Sequence, residues 1–111
     1  MVIAASVIEL HIHGCHSLKE KRGVLRSIRR RLRNRFNLGV AEVDAQDKWQ
    51  IAVLGLAVVG SDAVSLRRVL DQAADFVESM HLAELRSADI EVVELPLHEV
   101  AAWPDGVQGE Y

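Results

Sequence analysis

The chain has 111 residues, of which 50% are apolar, enough for one globular domain with a sizeable core but too few for a second domain. A single cysteine excludes an internal disulfide framework, and Glu9 and His11 interrupt the apolar start before it reaches signal-peptide or membrane-span length. We therefore expect a soluble, cytoplasmic protein that does not contact a membrane.

The charges are strongly segregated along the sequence. The formal net charge is −3, yet the segment 17–36 holds nine of the thirteen Lys and Arg residues and one acid, which gives it a charge of +8. The remaining four basic and fifteen acidic residues give the rest of the chain a charge of −11. The sequence therefore predicts a dipolar molecule with one strongly basic element.

An alternating pattern predicts a first strand over residues 2–13, with one apolar face and one mixed face. The segment 17–36 follows as an amphipathic helix, because its apolar residues recur at helical spacing. Ser17 and Glu20 form a capping-box pattern at its start. Gly23, inside this helix, indicates either close packing on the sheet or close approach of a ligand to the backbone.

The second half of the chain repeats the order of strand and helix. Residues 38–44 and 48–59 are predicted as an antiparallel hairpin, whose longer strand is apolar on both faces. A helix is expected from Ser61 and Asp62 to about residue 82, and a fourth strand over residues 90–95. Residues 97–111 are expected to form a loosely ordered tail.

This order predicts an α+β, ferredoxin-like βαββαβ sandwich over residues 1–96. Right-handed crossovers place both helices on one face of a four-stranded antiparallel sheet of order 4-1-3-2. The other face is then open and largely apolar, so we expect the protein to form homo-oligomers through it. The expected interface residues are Ile3, Ala5, Val7, Trp49, Ile51 and Val53.

The predicted first helix carries a basic stripe on one sector, next to its apolar side. Like charges at this density repel one another, and an anionic partner would relieve the repulsion. The alternative is a solvated helix face that meets the acidic remainder of the chain. The residues of this stripe are Lys19, Arg22, Arg26, Arg29, Arg30 and Arg33.

Two further cations, Lys21 and Arg35, project into the apolar sector of the same helix. Lys21 is expected to extend along the first turn with its ammonium group in solvent. The alternative is that it binds an anion beside Lys19 and Arg22 at the helix N-terminus.

Other polar clusters are interpreted without a catalytic role. His11, His13, Cys15 and His16 resemble metal ligands, but paired ligands from a second segment are missing, so solvent-facing or subunit-contact histidines are preferred. Cys15 is expected to be a small apolar filler and not an activated nucleophile.

Glu42, Asp44 and Asp47 are expected in a solvated turn and not as a carboxylate pair or cation site. Motifs for nucleotide binding, nucleophilic catalysis and zinc hydrolases are absent from the sequence. Aromatic residues for base stacking on the open sheet face are also scarce, and Trp49 is the single candidate.

Several short motifs occur together in the first half of the chain. They are SLKEKR at 17–22 with Arg26, RNRFN at 33–37, VAEV at 40–43 and QDKW at 46–49. With them, residues 1–95 resemble the YlxP-like family of small bacterial domains of unknown function. The matched motif positions have no assigned roles: Ser17, Lys19, Lys21, Arg22, Phe36, Asn37, Glu42 and Asp47.

This resemblance implies a ferredoxin-like fold and a bacterial cytosolic protein. It also implies a gene neighbourhood shared with ribosome-binding factor A and translation initiation factor two, and hence a link to ribosomes or RNA. We therefore expect a non-enzymatic, cofactor-free RNA- or ribosome-associated module that contacts phosphates through the basic stripe. The alternative is a protein-interaction module whose basic helix docks an acidic protein.

Overall fold

The computed structural model describes residues 1–96 of the chain. The predicted tail, residues 97–111, lies outside the described residues. In chain order the elements are β1 (Val2–His11), α1 (Leu18–Arg35), β2 (Gly39–Asp44), β3 (Ile51–Gly60), α2 (Ala63–Ser79) and β4 (Glu84–Glu94).

The four strands form one antiparallel sheet in the order β2-β3-β1-β4. In the centre of the sheet, Val7 lies opposite Gly55 of β3 and Asp89 of β4. The predicted α+β ferredoxin-like topology and the predicted strand order are both confirmed.

The core lies between the sheet and the helical layer. Alternate residues of β1 and β3 point into it, and each helix buries one stripe at intervals of three or four residues. Full burial of one such Leu or Ile stabilises the fold by about 1.5–3 kcal/mol relative to exposure. The buried apolar helix residues are Leu25, Ile28 and Leu32 from α1, and Leu66, Leu70, Ala73 and Val77 from α2.

The hydrophobic pattern predicts the bounds of the last three elements less accurately than those of the first three. β4 begins at Glu84, six residues before the predicted residue 90, because its first half is a polar edge strand without an apolar period. β3 begins at Ile51 and not at residue 48, since residues 48–50 belong to the preceding turn. α2 ends at Ser79, and His81 follows with a left-handed φ of 54°.

The start of α1 is capped nearly as predicted. The Ser17 hydroxyl accepts a hydrogen bond from the Glu20 N–H at 3.1 Å. The Glu20 carboxylate accepts from the His16 N–H at 2.9 Å, one residue before the Ser17 N–H of the standard capping box.

Gly23 lies on the solvent side of α1. A Cβ added there would meet no atom within 4 Å, so the expectation that Gly23 allows close packing on the sheet is wrong.

Candidate nucleic-acid interface

The six residues of the basic stripe lie side by side along one flank of α1. Five of them are exposed and Arg29 is half-buried. From Lys19 to Arg33 the stripe extends over about 21 Å, at 1.5 Å per helical residue. Successive stripe residues are three or four positions apart, except for the adjacent Arg29 and Arg30, so each helical turn of about 5.4 Å carries at least one cation.

Contacts on the two flanks of α1 show which way the stripe faces. Arg33 donates from Nη2 to the carbonyl oxygen of Val40 in β2, at 3.2 Å. On the opposite flank, the Arg35 guanidinium lies over the Phe76 ring of α2, 4.9 Å from its centroid. The stripe therefore faces away from α2, along the side of the molecule that ends in the edge strand β2.

Four of these arginines enclose a shallow groove near the C-terminal half of α1. Its volume is about 360 Å³, and Asn34 supplies a neutral polar group at one end. Because Arg33 is held by the Val40 carbonyl, part of this groove is fixed in position before any ligand binds. The arginines that line it are Arg26, Arg29, Arg30 and Arg33.

The stripe is not neutralised by the rest of the described chain. Within residues 1–96, no carboxylate oxygen lies within 4.0 Å of a side-chain nitrogen of the six stripe residues. The ion pairs among these residues involve Lys21, Arg86, His11 and His13 instead. With respect to residues 1–96, the cationic groups of the stripe are thus open to an external anion.

Lys21 departs from both interpretations of its position. Its side chain is 2% exposed, its ammonium nitrogen lies 2.8 Å from Oε2 of Glu42, and it donates to the Ala45 carbonyl at 2.6 Å. The expected solvent-directed ammonium group is therefore wrong, and the ammonium is not available to an external anion either. Lys21 is a structural residue that joins α1 to the end of β2.

Glu42, Asp44 and Asp47 were expected together in a solvated turn, but the structure separates Glu42 from the other two. Glu42 belongs to β2 and pairs with Lys21, so its assignment to a solvated turn is wrong. Asp44 and Asp47 are exposed as expected, and Asp44 accepts a hydrogen bond from the Ala45 N–H at 2.7 Å. This bond supports Ala45 in a left-handed conformation, with a φ of 57°.

The position of Lys21 on the helical wheel is a sequence feature that points to this ion pair. Lys21 lies on the helical wheel at the centre of the apolar face, beside Leu25 and Ile28. A cation at such a position requires a buried partner. Glu42, in strand β2, is the acid that meets this requirement.

The histidine group lies at one end of the sheet. His11 contacts the Glu9 carboxylate at 2.9 Å, and His13 hydrogen-bonds to Glu84 of β4. This hydrogen bond from His13 lowers the pKa of Glu84 below its usual value, and the charge of Arg86 adds to the effect. Within residues 1–96, no three His, Cys, Asp or Glu side chains are arranged to hold a metal ion.

Cys15 is buried, as expected for a small apolar residue. Its side chain is among the core residues, and the thiol donates to the Ser17 carbonyl at 3.3 Å.

The side chains expected at an oligomer interface do lie on the face of the sheet away from the helices or beside it. Ala5 and Val7 are exposed, while Ile3, Ile51 and Val53 are half-buried by their neighbours on the same face. Trp49 lies in the connection before β3, not in the strand itself, and is 51% exposed.

The fold and this surface together define a ferredoxin-like α+β domain with a cationic helix on one side and an apolar open sheet on the other. The chain belongs to the family described as protein of unknown function DUF503, whose model matches residues 3–90. It is 37% identical over 78 residues to the uncharacterized protein YlxP of Bacillus subtilis (strain 168), covering 70% of this chain and 85% of that protein.

Among solved structures, the chain is similar to a single-site mutant of SnoaB, a cofactor-independent oxygenase from Streptomyces nogalater. The TM-score is 0.46 and the sequence identity is 14%, with 84% of this chain and 92% of that chain covered.

Neither helix of the described part of the chain combines the length and the apolar character that crossing a membrane requires.

Proposed function

We propose that the protein is a non-enzymatic RNA-binding module, associated with the ribosome or with structured RNA, and that the basic stripe of α1 contacts the phosphates. The observation that carries this proposal is the row of six cations with no carboxylate partner among residues 1–96. Such a row is costly without a counter-charge, because each like pair at helical spacing destabilises a helix by about 0.2–0.5 kcal/mol.

The chemistry of the groove favours phosphate as the ligand. Guanidinium groups donate two parallel hydrogen bonds to a phosphate. Because each helical turn of the stripe carries at least one cation, the stripe can contact successive phosphates of one strand. The open sheet face supplies no comparable basic surface. Strands β1, β2 and β3 include no Lys or Arg, and the single arginine of β4, Arg86, is paired with Glu84. Recognition through the stripe is therefore driven by charge and shape, with little selection of base sequence.

The salt dependence of RNA binding tests this proposal. Six phosphate contacts predict that log K falls with log salt concentration with a slope of about −4 to −5. The double variant Arg26→Glu/Arg30→Glu is expected to lose at least about tenfold in affinity for an RNA hairpin and to give a shallower slope, as measured by fluorescence anisotropy.

The matched control is Arg67→Glu/Arg68→Glu, which changes the net charge by the same amount at two exposed positions of α2. It should bind RNA nearly as well as the wild type. Equal affinity of the wild type and the α1 variant, or binding that does not depend on salt, would contradict the proposal. Capture of an acidic protein that survives nuclease treatment and requires Arg26 and Arg30 would instead support the protein-docking alternative.

A further inference from the structure

The sheet face opposite the helices is apolar over most of three of its four strands, with Glu9 and His11 at one end of β1 as the exceptions. Its side chains from β1 and β3 include Val7 and Val59, which are 48% and 65% exposed, and Val43 of β2 is 51% exposed. Val93 of β4, opposite Ile3, is 50% exposed and extends the apolar surface at one end. Exposed valines concentrated on one face indicate an interface and not an ordinary solvated surface.

This face contains a recess as well as protruding side chains. A groove of about 520 Å³ lies over residues with small side chains in the centre of the sheet and is bordered by Val7 and Val43. Val43 leans over Gly55, where an added Cβ would lie 3.0 Å from its Cγ1. The small residues that form the floor are Ala5, Gly39, Ala41, Gly55 and Ala57.

We propose that a second copy of the chain covers this face, in a two-fold symmetric dimer packed sheet against sheet. A face with both ridges and a recess can complement itself, because a two-fold axis places the ridges of each copy over the low region of the other. The axis runs along the strands, between β1 and β3, so that β1 of one copy lies over β3 of its partner.

The charged residues of the face lie at its margins, with Glu9 and His11 at one end of β1 and an acidic strip along β4, so this arrangement leaves the centre of the interface apolar. Asp89 and Glu91 of β4 lie opposite Val7 and Ala5, so they form an acidic strip along one edge of the apolar surface. With the axis along the strands, the strip of one copy lies over β2 of the other, and the two strips do not face each other. The same strip disfavours nucleic acid as the occupant of this face.

The size of the whole face, including the acidic strip of β4, approaches that of a typical dimer interface. Ten residues of β1 extend about 33 Å, and four strands at about 4.8 Å give a width of about 19 Å, or about 600 Å² in projection. The accessible area of a corrugated surface exceeds its projection, and a typical specific interface buries about 800 Å² per partner. Two such sheets pack about 10 Å apart, with strand directions about 30° from each other.

Sedimentation velocity on the full-length protein tests the dimer with a matched pair of variants. Val59→Lys places a charge on the sheet face, and Val64→Lys places the same charge on α2 at a valine that is 64% exposed. The wild type and Val64→Lys are expected to sediment as dimers at micromolar concentration. Val59→Lys should raise the dimer dissociation constant at least about tenfold, because a buried unpaired ammonium group opposes association.

Val7→Lys, at the centre of the proposed interface, should give a monomer, and thermal unfolding monitored by circular dichroism checks that each variant is folded. A wild type that stays monomeric at all concentrations would overturn the proposal. The same outcome is expected if another segment of the chain or another protein covers the face. A dimer that persists in both Val7→Lys and Val59→Lys would also overturn it, as would equal loss of the dimer in Val64→Lys. If Val7→Lys does not fold, the comparison of Val59→Lys with Val64→Lys still decides the outcome.

Discussion

Lys21 and Glu42 form an ion pair beneath the first turn of α1, where both charges are largely removed from water. The side chains of Lys21 and Glu42 are 2% and 21% exposed. Oε2 of Glu42 is buried and lies 2.8 Å from the Lys21 ammonium nitrogen, and no other donor contacts this oxygen among residues 1–96. The pair therefore contributes mostly by preventing an unpaired buried charge, and less by a strong attraction.

Replacing Lys21 should destabilise the fold more than any other change of a single cation in α1. Lys21→Met leaves the Glu42 carboxylate and the Ala45 carbonyl without their partner, and we expect a loss of about 2–4 kcal/mol in the free energy of unfolding. Urea denaturation measures this loss. Lys19→Met, two residues away and exposed, is the control and should change stability by no more than about 0.5 kcal/mol.

The double variant Lys21→Met/Glu42→Leu removes both charges and should recover part of the lost stability. Equal effects of Lys21→Met and Lys19→Met would show that the pair does not stabilise the protein.

Asp62, the N-cap of α2, predicts a specific dependence of stability on pH. Hydrogen bonds from the Ser65 hydroxyl and backbone N–H hold the pKa of Asp62 below its usual value of 3.8. The folded state thus favours the ionised carboxylate. This contribution is complete above pH 3.8, the value in the unfolded chain, and is lost as the pH falls through the lower folded-state pKa.

Asp62→Asn keeps a good cap but removes this titration. Its melting temperature should therefore fall less than that of the wild type when the pH is lowered from about 5 to about 2.5. Asp71→Asn, at an exposed position in the middle of α2, should behave like the wild type. If acid lowers the melting temperature of Asp62→Asn and of the wild type equally, the cap does not carry the proposed charge effect.

At the scale of the elements, Gly23 weakens an otherwise strong helix without a packing reason. It lies in the interior of α1, and an added Cβ would meet no atom within 4 Å. Gly23→Ala should therefore stabilise the protein by about 0.5–1 kcal/mol, because alanine restricts the unfolded chain and favours the helix. The midpoint of chemical denaturation measures the gain.

Gly14, in the connection between β1 and α1, provides the opposite case. Its φ of 76° is in the left-handed region, so Gly14→Ala should destabilise the protein by about 1 kcal/mol. A loss of stability in Gly23→Ala comparable to that in Gly14→Ala would show that Gly23 has a structural role that its surroundings do not reveal.

The bounds of an element were predicted accurately where its apolar residues recur with one clear period. α1 was placed within one residue at each end, because the Ser17 cap and the 3.6-residue apolar period agree. The start of β4 was missed because Arg86, Ser87 and Asp89 lie in an edge strand that has solvent beside it and needs no apolar alternation. An edge strand forms because it hydrogen-bonds to the neighbouring strand. The local hydrophobic pattern carries no information about that pairing.

At the scale of the whole molecule, the separation of charge along the sequence becomes a separation in space. The stripe lies on the β2 side of the helical layer, whereas the acidic residues of β4 lie at the opposite edge of the sheet. The helical wheel was sufficient to predict which residues form the stripe. It did not predict that Arg33 is held by Val40 or that Arg35 lies on Phe76, because both contacts depend on how α1 packs against other elements.

The position of the stripe and the apolar face on opposite sides of the sheet has a consequence for avidity. In the proposed sheet-to-sheet dimer, the basic stripes of the two copies would face in opposite directions, so a short RNA hairpin could contact one stripe at a time. A long or folded polyanion could reach around and occupy both, and its second contact would then form at a high local concentration. The affinity of the dimer for nucleic acid would therefore increase with the length of the nucleic acid much more steeply than the affinity of a single basic stripe.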